Sequence, residues 1–290
     1  FKGCTALTGI SLPKGLTDIG SSAFENCTLL SSISLPTTLK SIGDQAFQKC
    51  TALRNVTFPE GLLTIGEYAF YEDRLLEATI PASVTKIGHA AFYDNEYLKK
   101  LVIKGNPKFE AGTSGTASTF GNCKSLAEVQ LNDNIAELPS QIFFACSIQK
   151  INLPSHLKTI GDGALRSLQV KEVKLPDTVT SVGENAFAFS GIEKLALSKG
   201  IQKLPHQVFW YADLKAVYIP KSVTSIELSA FENCYKLKDI YYSGSEADWA
   251  NMKVESTGNE ALTKATIHYN ASVSDLGLTE EFSLLSLLGL

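Results

Sequence analysis

The 290-residue sequence lacks an excess of charge of either sign, with 26 basic against 30 acidic residues and a net charge of −4. A nucleic-acid binder needs a basic field over one face, so this balance excludes that class. No stretch of 18 apolar residues exists, so no helical membrane span is expected. A charged leader followed by an apolar run is also missing at the N-terminus, where Phe1 already lies inside the pattern described next. We therefore expect further coils or a lid upstream. Histidines number four and are scattered, and the six cysteines never cluster in sequence. Catalytic or metal-binding groups must converge on a point, so neither set forecasts a metal site, a cofactor or a catalytic centre.

What the sequence has is a period. Residues 30–52 read LSSISLPTTLKSIGDQAFQKCTA, and the template L-x-x-I-x-L-P-x-x-L-x-x-I-G-x-x-A-F-x-x-C-x-x recurs eleven times, from Leu7 to Leu237, at intervals of 22 or 23. One interval is stretched to 28 by an insertion at 104–123. Sequences that repeat at this length build solenoids, in which each coil buries its apolar positions against its neighbours.

Each column carries a structural expectation. Ten of the fifteen Phe residues share one column (Phe1, Phe24, Phe47, Phe70, Phe92, Phe120, Phe143, Phe187, Phe209, Phe231), with Leu165 as the substitute. They predict a buried spine. The I-x-L segment alternates and predicts a strand, which Pro ends in seven repeats. The column of Gly20, Gly43, Gly66, Gly88, Gly161 and Gly183 predicts a turn that needs either positive φ or close backbone approach. Cys4, Cys27, Cys50, Cys123, Cys146 and Cys234 occupy one column, where they read as buried free thiols acting as small hydrophobes.

These columns resemble the BspA-like, or treponemal-type, leucine-rich repeat family over about residues 1–243. The resemblance implies an α/β repeat solenoid: a right-handed arc with a parallel sheet on its concave face and short strands or helical turns on the other. It also implies a C-terminal cap at 244–270, with a short helix at 245–252 carrying Trp249 and a last strand at 265–269. Residues 271–290 read as a tail or linker in which Thr279 would cap one short helix.

For function, the expectation is a non-enzymatic binding module. The alternating row Glu77, Lys100, Glu128, Lys150, Glu172 and Lys194 is explained by pairing between adjacent strands. The loop AGTSGTAS (111–118) has neither the nucleophile-elbow nor the phosphate-loop spacing. His89, His156, His206 and His268 read as surface residues. Tyr218 and Tyr241 on the strand face, with Lys215 and Lys238 three residues before each, form the expected ligand patch, since interfaces favour such side chains. The Trp210–Tyr211 pair on the opposite edge is expected to be partly buried. The expected arc is monomeric and presents a rigid extended surface to a protein or glycan ligand; the resemblance further implies a secreted or cell-surface bacterial protein used in adhesion to host or neighbouring cells. Two other readings stay open: the targeting module of a larger secreted enzyme, and an intracellular eukaryotic scaffold.

Overall fold

The computed structural model describes residues 1–112 and 118–278, which form a parallel-strand β-solenoid of about eleven turns. Contacts divide it into two compact units, Phe1–Ile135 with Pro139–Ile151, and Ala136–Leu138 with Asn152–Leu290. Most of the AGTSGTAS loop (111–118) and the expected helix cap Thr279 lie outside the described residues.

In the first unit the two-residue strands before the Gly column stack as one parallel sheet, from Asp18–Ile19 through Ser41–Ile42, Thr64–Ile65 and Lys86–Ile87 to Lys108–Phe109. The last of these comes from the insertion, which thus contributes a rung of its own. The expected I-x-L strands form a second parallel sheet, but it begins only at Glu77–Ile80 and continues through Lys100–Ile103, Glu128–Leu131 and Lys150–Ile151. In the earlier coils, where serine replaces better strand formers at 9–11 and 32–34, this face is reduced to one isolated bridge, Ser32 to Asn55. The Phe spine is continuous, with ring centroids of Phe24, Phe47, Phe70 and Phe92 spaced 5.2, 5.1 and 5.3 Å apart and all four rings buried.

The second unit repeats the arrangement. Its strand face runs from Glu172–Lys174 through Lys194–Ala196, Ala216–Ile219 and Asp239–Tyr242 to Thr266–His268. Beyond Tyr241 the sequence pattern lapses but the hydrogen bonding does not, because Lys253–Val254 and Thr266–His268 each add a parallel rung. A five-residue helix precedes each of these rungs, α1 (Glu246–Ala250) and α2 (Glu260–Lys264); the N-terminus of α1 carries a Ser245/Asp248 capping box, and Trp249 sits edge-on to Tyr242 at 5.1 Å. No described helix is long and apolar enough to cross a membrane.

Helical turns do not form inside the described repeats, so the α/β expectation holds there only on its β side. After each glycine the backbone N–H groups alternate between two partners. Ala46 and Gln48 donate within the turn, to Gly43 and Gln45, while Gln45, Phe47 and Lys49 donate to the next coil, to Glu67, Ala69 and Tyr71. A helix would direct every N–H along its own axis; here half of them bind adjacent coils. The alternation places two residues per coil at positive φ, such as Gln45 and Lys49 at 58° and 62°. The Gly column stays at negative φ and serves close approach instead: a Cβ on Gly43 would lie 2.7 Å from the Ser21 nitrogen.

The thiols do more than fill space. Cys50, Cys146 and Cys234 point their Sγ at the Phe carbonyl one coil back (Phe24, Phe120, Phe209), each at 3.1 Å, so the column supplies a donor. Cys27, Cys50, Cys123, Cys146 and Cys234 are buried, and Cys4 in the first coil is exposed, against the expectation for that position. Burial pushes the Cys234 thiol up to about 12 and raises those of Cys27, Cys50 and Cys123. The thiolate is the reactive form, so a thiol reagent at pH 8 should titrate one cysteine in the folded protein and all six after denaturation. Two or more fast-reacting thiols in the native state would contradict this arrangement.

Candidate functional site

The structure brings the four expected patch residues together. Tyr218 and Tyr241 are partners on adjacent parallel strands, and the Lys238 N–H donates to the Lys215 carbonyl at 2.9 Å, which sets the two exposed lysines side by side. Charge is locally matched, since Lys215 and Lys171 flank Glu193 at 2.6 and 3.2 Å and Lys194 meets Glu172 at 3.4 Å. Hydrogen bonds from Lys215 and Lys171 hold the Glu193 carboxyl below its usual range. In the first unit Glu128 likewise lies 3.2 Å from Lys100 and 3.9 Å from Lys150, so the alternating row pairs across strands.

The patch is not an open surface, however. His268 stacks on Tyr241 at 4.7 Å and is held by Asp239 Oδ1 at 2.9 Å, so one face of the Tyr241 ring is taken. A 3-10 turn, Val273–Leu276, lies over the strands Lys194–Ala196, Ala216–Ile219 and Asp239–Tyr242. Its Leu276 is buried, Lys194 Nζ donates to the Gly277 carbonyl at 2.5 Å, and both tyrosines are only half-exposed. Beside Leu276 a hollow of about 350 Å³ remains, bordered by Lys171, Glu193, Lys194 and Lys215.

A second surface lies on the turn side of the same unit. Phe189 and Tyr211 stand one coil apart in the second positive-φ column and stack at 5.4 Å and 4°, with the Arg166 guanidinium 4.8 Å from the Phe189 ring. Tyr235 stands edge-on to Tyr211 at 6.4 Å, and Trp210 edge-on to Phe189 at 4.9 Å. Phe189, Tyr211 and Tyr235 are 38%, 45% and 81% exposed. Trp210 is half-buried as expected, but Tyr211 is exposed. In other coils this column holds polar residues such as Asn26, Lys49, Glu72 and Asp94, with Ala145 the exception, so large aromatics stand out there, a signal available in the sequence once the column is known.

Of the histidines, His89 departs from its surface expectation: it is buried against Tyr68, edge-on at 5.2 Å, and a Cβ on Gly112 of the insertion would lie 2.7 Å from its ring. Among the described residues no three His, Cys, Asp or Glu side chains are placed to hold a metal ion.

Stacked parallel rungs, a ring spine and one apolar face per coil define a repeat solenoid of the leucine-rich class. Residues 1–100, 113–213 and 138–251 match the BspA type leucine rich repeat region in six copies, and the chain belongs to that family. Among solved structures, a leucine-rich repeat protein from Bacteroides ovatus is 23% identical with a TM-score of 0.62, over 93% of this chain and 85% of that one, which reflects the shared fold. A leucine rich cell surface protein from Faecalibacterium prausnitzii is 25% identical with a TM-score of 0.44, over 88% of this chain and 78% of that one. The Treponema pallidum leucine rich repeat protein is 21% identical with a TM-score of 0.43, over 56% and 78%. No curated protein sequence matches the chain.

Proposed function

We propose that this chain is a non-enzymatic binding module, displayed outside the cell or at its surface, whose aromatic ridge of Phe189, Tyr211 and Tyr235 takes a protein ligand in adhesion. The observation that carries this reading is that Phe189 and Tyr211 sit at φ 56° and 54° while 38% and 45% exposed. A bulky side chain at positive φ costs on the order of 1 kcal/mol, and exposing an aromatic ring forgoes the stabilisation its burial would give. Folding does not select such residues there; contact with a partner does. Two of the rings stack on each other, so the ridge offers edges more than free faces, which suits side chains of a protein better than the flat face of a sugar. Membership of a leucine-rich repeat family supports the binding role and the surface location. Residues 244–270 fit this picture as a capping coil, and 271–290 as a tail.

The test is binding of the purified chain to a panel of immobilised matrix proteins and glycans. Phe189→Ala with Tyr211→Ala should weaken the protein interaction about 30-fold or more, as loss of a hot spot does, without lowering the melting temperature. Undiminished binding by the folded double variant, or binding to glycans alone, would rule the ridge out as a protein site.

A further inference from the structure

The outward position of the strand face runs Lys174, Ala196, Tyr218 and Tyr241 across neighbouring strands, so Ala196 is a notch between long side chains. By alternation Ala196 should face water, yet it is 1% exposed, and the turn Val273–Leu276 touches its strand. Leu276, itself 3% exposed, is the one large side chain that this turn buries. The turn is made locally. Asp275 accepts from the Ser272 N–H and hydroxyl at 2.6 and 2.7 Å, and Gly277 at φ 61° ends it, leaving its carbonyl for Lys194. Those two hydrogen bonds from Ser272 hold the Asp275 carboxyl below its usual range.

We propose that this part of the strand face is a peptide site, that Ser272–Leu278 occupies it in cis, and that its ligand is a partner loop presenting leucine on a turn preceded by an acidic residue. The proposal rests on reading the chain as a binding module but not on the aromatic ridge. The tethered segment orders seven residues to bury one leucine, a weak hold that a better-fitting loop overcomes. Its own sequence therefore describes the ligand: leucine for the Ala196 notch, a carbonyl for Lys194 and, just before the leucine, a carboxylate that closes the turn.

The experiment uses a fluorescein-labelled peptide of residues 271–278, ASVSDLGL, titrated with the 290-residue chain and with its Leu276→Ala variant, read by anisotropy. A tethered competitor acts at millimolar local concentration, so the variant should bind the peptide about tenfold or more tightly than the unmodified chain. Adding Ala196→Glu should abolish that binding, and a peptide with alanine at the position of Leu276 should not bind. Adding Tyr211→Ala should leave peptide binding unchanged, so failure of the ridge and failure of this site are told apart. Equal affinity for the two proteins, or binding by neither, overturns the proposal. So does a micromolar dimer that Leu276→Ala dissolves, because the tail would then be exchanged between copies.

Discussion

Asp73→Asn should stabilise the protein at neutral and alkaline pH, by about 1–3 kcal/mol, the usual cost of leaving a buried polar group unsatisfied. Asp73 occupies the cysteine column and is 2% exposed. Its Oδ1 accepts from the Cys50 N–H at 2.7 Å, while Oδ2 is buried without a partner. One coil on, Asn95 fills the same position without that defect: Oδ1 accepts from the Leu75 N–H at 3.2 Å, and Nδ2 donates to the Phe70 and Phe92 carbonyls at 2.6 and 3.0 Å. The cysteines meet the same Phe carbonyl column with a thiol. The position asks for a donor, which asparagine has and an ionised carboxylate lacks.

Burial pushes the Asp73 carboxyl well above the usual carboxylate range, and the Cys50 N–H opposes this only in part. Folding therefore favours the protonated form. The position costs least below about pH 4, where the unfolded chain is protonated too, and stability is lost as pH rises towards the folded-state pKa, by up to about 1.4 kcal/mol per pH unit. Asparagine does not titrate, so the two proteins should converge in urea melts near pH 4 and diverge progressively above it, with Asp73→Asn the more stable. A difference that stayed flat with pH would mean that Asp73 remains ionised in the folded protein.

Gly66→Ala should destabilise by about 1–3 kcal/mol or more, the range for overpacking, even though alanine normally holds backbone better than glycine. A Cβ at Gly66 would lie 2.5 Å from the Asp44 nitrogen and 2.6 Å from the Gly43 carbonyl carbon, both main chain of the preceding coil. Neither can yield without moving that coil. The opposite sign is expected two columns later. Gln207 sits at φ 53°, and Gln207→Gly should raise stability by up to about 1 kcal/mol by relieving left-handed strain. Thermal melts of the two variants decide the matter, and a stable Gly66→Ala protein would show that the coils are not this close.

Much of the scaffold was legible because solenoid packing is local in sequence. A side chain 22 or 23 residues from its equivalent meets it directly, so Phe24, Phe47 and Phe70 in one column are also rings in one stack. The same logic made the Glu–Lys pairing readable. The candidate patch was legible in part: Tyr218 and Tyr241 do adjoin, but nothing in their column announced that Leu276 would lie over the neighbouring strands. His89 was misplaced for a related reason, since Gly112 in a single irregular insertion covers it.

By itself the sequence determined the period, the direction of stacking and the identity of every inward column, because a repeated apolar position has only one way to escape water in every coil at once. Only the tertiary structure decided how each backbone spends its hydrogen bonds. Whether Phe47 donates along its own chain or to Ala69 of the next coil depends on how closely two coils approach. That spacing set positive φ on Gln45 and Phe189 rather than on the Gly20–Gly183 column, and left Asp73 Oδ2 without a donor. Pattern names the residues that face inward; contact between coils decides what they must do there.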